Sequence, residues 1–391
     1  MFSRRTDWNL TPNRLTLAQQ QALGAGSKIL DLTISNPTRI GIEYDESSIL
    51  NALRNPKALD YHPQPKGMRS AREAVAEYYS RGSQGLADLD PENIVLTTGT
   101  SEGYSFIFCL LCNPGDEILV PKPSYPLFDF LADLQDVKLI PYSLIYDHGW
   151  QIDFHSLEQA LTKKSRGVLL VHPNNPTGSY VSAREREQLN VLCSERRLAL
   201  IVDEVFLDYA LNGKAQPSFA INKDVLTFIL SGISKISALP QMKLAWISVH
   251  GLQREVNSAV QRLEVIADTY LSMNAPIQLA ASVLLAQHKS IQAQVMNRVK
   301  ANLSELDHQL VNQKSCSRLE IEGGWYTVIR IPVTRSDEDF AIELLRCHSV
   351  LVHPGHFYDF SNDGYLVASL IVPEQEFREG AKHVLQFASD M

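Results

Sequence analysis

The sequence has little of what several protein classes require. Its 391 residues include only five cysteines, an odd number without framework spacing, so it is not a disulfide scaffold. Lys and Arg total 36 against 44 Asp and Glu, and no basic run exceeds a pair, which argues against nucleic-acid or membrane-surface binding. No stretch approaches the roughly 20 apolar residues of a membrane span, and no apolar segment follows Arg4 and Arg5. We therefore expect a cytoplasmic protein.

Metal and redox sites are also unsupported. Cys109 and Cys112 form a C-x-x-C pair, but they lie at the end of an apolar, helix-like run at 104–111, where packing is the better interpretation. The eleven histidines show no paired metal spacing. We expect no bound metal.

What the chain does have is a regular alternation of apolar strands with helices. Its length suits two joined domains, and its composition, 45% hydrophobic and 20% charged, is ordinary for a globular protein. Buried strands are predicted at 94–97, 118–120, 168–171, 198–202 and 225–230. This pattern predicts an α/β fold with a mostly parallel sheet, helices on both faces, and ligand sites at the carboxyl ends of the strands. One or two long helices are expected at 251–308, followed by a smaller sheet at 323–330, 350–357 and 365–370.

Polar stretches follow four of these strands, at 98–103, 175–178, 203–206 and 231–243. Gly99 allows a close backbone approach at a helix start, which is an anion seat or an ordinary cap. Asp203 ends a buried strand and needs a partner there, because burying an isolated carboxylate is costly. Lys235 lies among small and hydroxylated residues; taken alone, it is better explained as an ordinary lysine of a surface loop.

Together and in this order, the four stretches resemble the fold-type I, pyridoxal-phosphate-dependent aminotransferases of class I/II. The resemblance runs from about residue 31 to the C-terminus. It implies a seven-stranded, mostly parallel sheet in a large cofactor-binding domain, with a smaller α+β domain. The expected division is an N-terminal arm at 1–45 that joins the small domain, a large domain at 46–285 and a small domain at 286–391.

The resemblance also implies the catalytic residues. Lys235 would hold pyridoxal phosphate as a Schiff base and then shuttle the proton of the substrate's α carbon. Asp203 would keep the pyridine nitrogen protonated, and Asn175 would hydrogen-bond the ring oxygen. The substrates would be a small amino donor and a keto-acid acceptor.

Further cofactor contacts follow from the same likeness. Tyr125 would stack on the pyridine ring, and Tyr61 would reach the phosphate of a neighbouring subunit, which implies a homodimer with shared active sites. The expected phosphate-binding residues of the chain itself are Gly99, Thr100, Ser101, Ser234 and Lys243.

Several positions depart from the family's pattern. Phe206 replaces a tyrosine that donates to the ring oxygen, which implies that the imine holds its proton to higher pH. Gly232 stands where a phosphate-binding serine is common, so that Ser231 or Ser234 would substitute for it. Lys243 replaces an arginine, and Ser35 replaces a glycine near the substrate.

The most consequential departure is at Val367, which aligns with the arginine that binds the substrate carboxylate. Three hypotheses follow: an aminotransferase whose carboxylate contact has moved, a pyridoxal-phosphate enzyme of another reaction type (elimination, decarboxylation, cyclisation or oxidation), and a non-catalytic protein with this fold. The intact Lys235, Asp203 and Asn175 favour the first two. The replacement candidates are Arg39, Arg330, His353 and His356. Near the site, Tyr125, Trp325 and Tyr326 would suit an apolar or aromatic substrate side chain.

Overall fold

The structure is a computed structural model that describes residues 1–81, 89–126, 128–211, 213–214, 216–271, 273–311 and 313–390. Its strands are β1 Leu30–Asp31, β2 Ile94–Thr97, β3 Glu117–Lys122, β4 Lys138–Tyr146, β5 Trp150–Ile152, β6 Ser165–Val171, β7 Ala199–Asp203, β8 Thr227–Gly232, β9 Ala245–His250, β10 Ser317–Arg318, β11 Tyr326–Arg330, β12 Val350–Leu351, β13 His353–Pro354 and β14 Tyr365–Ser369. Its α-helices are α1 Arg14–Gly24, α2 Glu46–Ala52, α3 Arg69–Arg81, α4 Thr100–Leu111, α5 Phe128–Leu134, α6 Phe154–Ala160, α7 Ala183–Arg196, α8 Ile233–Ile236, α9 Gln253–Thr269, α10 Ala275–Ala286, α11 His288–Leu310, α12 Asp337–His348 and α13 Glu374–Ser389.

The large sheet has the strand order β2-β9-β8-β7-β6-β3-β4-β5. Strands β8, β7, β6, β3 and β4 are parallel, while β2, β9 and β5 pair antiparallel with their neighbours. The predicted α/β fold is confirmed. The sheet has eight strands rather than seven, because the short strand β5 extends the edge beyond β4.

Helices cover both faces of this sheet, which explains why its central strands are almost wholly apolar. Alternate residues of β6 and β7 belong to two separate hydrophobic clusters. One cluster includes Leu169 and Ile201 with residues of α4 and α9, and the other includes Val168 and Leu200 with residues of α7. The strands are therefore held in place from both sides, and their carboxyl ends are fixed positions for side chains.

The smaller sheet is antiparallel, in the order β10-β11-β14-β13. It shares a third hydrophobic cluster with α11, α12 and α13. The apolar stretch at 350–357 was predicted as one strand, but it divides: β12 pairs with β1 from the N-terminal segment, and β13 joins the smaller sheet. Residues near the N-terminus are thereby tied to the C-terminal part of the chain.

Two further expectations need correction. The segment 251–308 contains three helices instead of one or two, because Asn274 caps a new helix with its side chain and Pro276 lies in its first turn. Cys109 is exposed, so its thiol is not packed in the core, and all five cysteines are free thiols. Within the described residues, we find no helix that combines the length and the apolar character needed to cross a bilayer.

Candidate active site

Lys235 lies in the short helix α8, which begins directly after strand β8 ends. Its backbone carbonyl accepts a 2.7 Å hydrogen bond from the Tyr209 hydroxyl, which fixes the turn. Its amino nitrogen lies 4.9 Å from the ring centroid of Trp325 and 5.6 Å from that of Phe206. Burial lowers the pKa of Lys235 to about 8, against the opposing effect of the Asp203 charge. Such an amine is much more often unprotonated near neutral pH than an exposed lysine.

Asp203 is the last residue of β7, the strand next to β8 in the sheet. The carboxylate is buried, and each oxygen accepts one hydrogen bond: Oδ1 from the Val205 amide at 3.0 Å and Oδ2 from the Tyr104 hydroxyl at 2.8 Å. Burial raises its pKa, while those two donors and the Lys235 charge oppose the rise. Both oxygens retain a free lone pair, so the carboxylate can accept a further donor from a bound molecule.

Asn175 follows β6, the strand on the other side of β7. Its side-chain oxygen is buried and has no hydrogen-bond partner among the described residues. A buried amide in this state is suited to a polar group that a ligand brings. Asp203 thus ends β7, and Asn175 and Lys235 follow the parallel strands on either side of it, so that all three lie at the carboxyl ends of central strands, as the sequence predicted.

The N-terminus of α4 has the features of an anion-binding site. Gly99 precedes the helix and Thr100 and Ser101 begin it, so backbone amides point out of its first turn. A Cβ atom on Gly99 would lie 3.4 Å from the amino nitrogen of Lys243. The lysine charge and the helix N-terminus therefore meet at one place, as expected for a phosphate site.

The structure explains why glycine occupies position 232. A Cβ there would lie 2.8 Å from Ala245 Cβ and 2.9 Å from the Leu244 carbonyl oxygen, so no serine fits without movement. Ser231 is buried, and its side chain lies beside the Tyr79 hydroxyl. Of the two substitutes considered from the sequence, Ser234 is the one whose hydroxyl remains available at the start of α8.

Tyr125 and Tyr61, the two tyrosines expected to contact the cofactor, have different surroundings. Tyr125 is 42% exposed and lies close enough to Tyr326 and Tyr358 for charges to interact. Tyr61 is 83% exposed, which separates it from its own chain's core and leaves it open to another molecule.

The four candidates for the missing carboxylate contact differ in how deeply they are buried. Arg39, Arg330 and His356 are exposed. His353 is half-buried, and its Nδ1 lies 3.1 Å from the Tyr358 hydroxyl oxygen. Burial lowers the pKa of His353, against the effect of nearby Asp31, so the imidazole is mostly neutral at pH 7.

Sequence reasoning missed two residues that support this site. Tyr104 donates to Asp203, and Tyr209 donates to the Lys235 carbonyl. Tyr104 follows the turn at Gly99 by one helical turn, and Tyr209 follows Asp203 by six residues, but neither spacing identifies a bond. Both contacts depend on how helices and loops pack over the strand ends.

These features define a pyridoxal-phosphate enzyme of fold type I, and comparison with known proteins agrees. The family model for aminotransferase class I and II matches residues 45–383, so the chain belongs to that family. It is a pyridoxal-phosphate-dependent aminotransferase, which transfers an amino group between an amino acid and a 2-oxo acid. The alternative reaction types and the non-catalytic reading are not favoured.

Individual proteins of known activity are similar to this chain over most of its length. The chain is 26% identical over 373 residues to the glutamate-pyruvate aminotransferase AlaA of Haemophilus influenzae, covering 93% of this chain and 92% of that protein. It is 26% identical to the alanine aminotransferase of Mycobacterium tuberculosis, covering 87% and 81%. Alanine aminotransferase from Pyrococcus furiosus has the same fold, with a TM-score of 0.90, 23% identity and full coverage of both chains.

The residues present fit the cofactor that this family uses. The buried carboxylate of Asp203 has free lone pairs, the Asn175 side chain carries an amide NH2 that can donate to a ring oxygen, and Lys235 has a lowered pKa. The helix start beside Lys243 is suited to a phosphate. A charged ring, a ring oxygen, an aldehyde and a phosphate each have a complementary group here.

Proposed function

We propose that this chain transfers amino groups with Lys235 as the catalytic amine, Asp203 as the partner of the ring nitrogen and Asn175 as the partner of the ring oxygen. The observation that carries this proposal is the pairing at adjacent strand ends of a buried carboxylate with an amine whose pKa is lowered to about 8. A lysine and an aspartate at such positions have complementary tasks: one reacts as a free amine and the other stabilises a positive charge.

When bound, pyridoxal phosphate supplies a carbonyl that attaches amines and a ring that stabilises negative charge at the substrate's α carbon. Lys235 would anchor the cofactor and, once released, would take the proton from the α carbon of the amino donor; in the reverse half-reaction it would deliver a proton to the α carbon of the acceptor. Asp203 holds the proton of the ring nitrogen, and Tyr104 and Val205 keep its carboxylate in place. Trp325 and Phe206 exclude water from the amine.

The remaining cofactor contacts are proposed from position. Gly99, Thr100 and Ser101 present amides and hydroxyls to the phosphate, and Lys243 supplies a positive charge beside them. Ser234 adds a hydroxyl from the start of α8, and Tyr125 covers the face of the ring.

For substrates, we propose alanine and pyruvate as the first pair. The relatives described above are named for glutamate, pyruvate and alanine. The aromatic lining by Phe206, Trp325 and Tyr326 also favours a small or apolar substrate side chain over a charged one. We therefore expect alanine to react faster than glutamate.

The test is an absorbance spectrum of the purified protein with pyridoxal phosphate, recorded before and after each of alanine, glutamate and tyrosine is added without an oxo acid. We expect alanine to bleach the visible band and pyruvate to restore it. A band that persists while ammonia is released would instead favour elimination. Failure to form any visible band would contradict the assignment of Lys235.

A homodimer with shared active sites is part of the proposal. Leu59, Tyr61, Tyr270 and Leu271 are large apolar or aromatic side chains that are between 63% and 91% exposed, which a second subunit would cover. Sedimentation of the cofactor-loaded protein tests this: an active, stable monomer would contradict it.

The domain division and the cytoplasmic location remain predictions. The pairing of β1 with β12 supports an arm at 1–45 that joins a small domain at 286–391. All strands of the large sheet lie between residues 94 and 250, which supports a large domain at 46–285.

A further inference from the structure

The place of the missing arginine can be located on the smaller sheet. Val367 in β14 is 1% exposed, and its register partners are Val328 in β11 and His353 in β13. Residues directly opposite each other in antiparallel strands share a face, as do residues two apart in one strand. His353 and Tyr326 therefore lie on the same face as Val367. The polar side chains on this face include the His353 imidazole and the Tyr326 phenol, together with Ser369 and Tyr365 of β14 itself.

Tyr326 connects this face to the catalytic amine. Its ring centroid is 6.2 Å from that of Phe206, whose own centroid is 5.6 Å from the Lys235 nitrogen. The Ser35 side chain lies close enough to the phenol of Tyr326 to oppose the rise in its pKa. Burial raises the pKa of Tyr326, so the phenol keeps its proton. It is a neutral donor beside the reacting groups.

Tyr358 is a second donor of the same kind. Its hydroxyl oxygen lies 3.1 Å from His353 Nδ1, and its backbone carbonyl accepts a 2.9 Å hydrogen bond from the Ser124 amide, next to Tyr125. Burial raises the pKa of Tyr358, and the charges of Tyr326 and Tyr125 contribute, which places the three phenols close together. Each buried tyrosine thus has its own polar neighbour: Ser35 for Tyr326 and His353 for Tyr358.

We propose that Tyr326 and Tyr358 bind the substrate's α-carboxylate by donating a hydrogen bond each, with Ser35 and His353 as positioning residues. The inference rests on the proposed function, because it presumes an amino-acid substrate at Lys235. This arrangement requires the His353 tautomer that carries its proton on Nδ1; His353 and the Ser35 hydroxyl then donate to the two phenol oxygens, so each tyrosine proton is directed to the carboxylate. Hydrogen bonds from neutral hydroxyls to a carboxylate replace the fork of an arginine.

Arg330 does not fit this task. It lies four residues along β11 from Tyr326, about 13 Å away at the rise of a strand, and is exposed. Arg39 is exposed in the short turn that follows Ser35, and it serves as the rival in the test.

The experiment compares wild type with Tyr326→Phe, Tyr358→Phe and Arg39→Ala, all loaded with pyridoxal phosphate. Tyr365→Phe is the matched control, because Tyr365 is on the same strand and the same face as Val367. Its ring lies beside Phe360. Calorimetry measures binding of propionate, a carboxylate without an amine. Rapid mixing measures bleaching of the cofactor band by L-alanine and by ethylamine, which lacks the carboxylate.

We expect each phenylalanine variant at 326 or 358 to bind propionate about 10- to 100-fold more weakly and to lose the same factor in the alanine-to-ethylamine rate ratio, since each loses a hydrogen bond to a charged group. Ethylamine rates and the cofactor band should stay at wild-type values, and the melting temperature should fall only slightly, because each substitution removes one hydroxyl from a buried site. Tyr365→Phe should match wild type in every measurement.

Unchanged propionate binding and rate ratio in both variants, or a loss confined to Arg39→Ala, would overturn the proposal. So would absence of propionate binding by wild type. If wild type reacts with no amine at all, the proposed function fails and the carboxylate site fails with it; normal reactions with unaltered ratios reject the tyrosines alone.

The positioning residues are tested by the same ratio. Ser35→Ala and His353→Ala should lower it by about 3- to 10-fold, and His353→Asn should restore most of the loss because its amide can also donate to Tyr358. Equal ratios in His353→Ala and His353→Asn would contradict the assigned role of His353.

Discussion

The two walls of the proposed active site are built in different ways. The wall from the large sheet takes Asn175, Asp203 and Lys235 from positions just after three adjacent parallel strands. The wall from the smaller sheet takes Tyr326, Tyr358 and their neighbours from separate segments with no shared motif. Groups that act on a fixed cofactor can stand at strand ends, whereas groups that receive the substrate depend on how several segments pack.

The largest effect should come from Lys235→Ala, which removes the amine on which the cofactor wall depends. We expect transamination to fall by about 10⁴-fold or more, since both the cofactor anchor and the acid–base group are lost. An assay of pyruvate formed from alanine measures it, with Lys289→Ala on the exposed face of α11 as the control. Substantial residual activity would show that another residue carries the chemistry.

Val367→Arg tests whether the part of the site formed by the smaller sheet can still accommodate an arginine that binds a carboxylate. Val367 is buried opposite His353, so a new arginine would bring a charge into a buried position beside an imidazole, and we expect the free energy of unfolding to fall by about 3–5 kcal/mol. Urea denaturation measures the loss, and Val367→Ile is the control. Wild-type stability with tighter propionate binding would mean that the arginine site persists beneath the valine.

Asp203→Asn should weaken the cofactor wall without removing it. The amide keeps the shape of the side chain but not its charge, so we expect kcat to fall by about 10²- to 10³-fold, comparable to loss of one preorganised catalytic contact. Tyr104→Phe removes only a supporting hydroxyl and should cost less.

The Asp203→Asn variant should also change the pH dependence of cofactor capture. Cofactor capture requires the unprotonated amine, and the pKa of Lys235 is lowered to about 8, so the capture rate should rise with pH and reach half its maximum near pH 8. Because the Asp203 charge opposes that lowering, Asp203→Asn should move the midpoint to lower pH. A midpoint near pH 10 in wild type would contradict the described environment of Lys235.

The smallest effect concerns Gly232, at the edge of the cofactor wall. Gly232→Ser places a Cβ against Ala245 and the Leu244 carbonyl, and we expect a loss of about 1–3 kcal/mol in unfolding free energy. Gly24→Ser is the control, because a Cβ at Gly24 would have no heavy atom within 4 Å among the described residues. Equal melting temperatures would show that a serine is tolerated.

The contrast between the walls also explains what the sequence could predict. Strands such as β6 and β7 are continuous apolar runs, and the polar residue that follows each one is recognisable as a site candidate. The sequence therefore predicted Asp203 and Asn175 as site candidates, together with the sheet that presents them. It also indicated that Val367 could not bind a carboxylate.

The other features of the site and fold could be recognised only from the three-dimensional structure. Tyr326 was noted only as an aromatic residue near the site, and Tyr358 was not singled out, because a buried tyrosine has the same sequence pattern whether its hydroxyl serves a ligand or the core. His353 was one of four candidates, and only the register of β13 with β14 sets it opposite Val367. The break between α9 and α10 was missed because the capping role of Asn274 was not recognised.

Helix α4 has a consequence for which cofactors the protein accepts. Its first residue, Thr100, belongs to the proposed phosphate site, and Tyr104 in the next turn holds Asp203, the proposed partner of the ring nitrogen. Four residues of helix span about 6 Å, so one rigid turn sets the distance between the two ends of the bound molecule. A pyridoxal analogue with one extra methylene in its phosphate arm should therefore compete poorly, because α4 cannot lengthen to accommodate it.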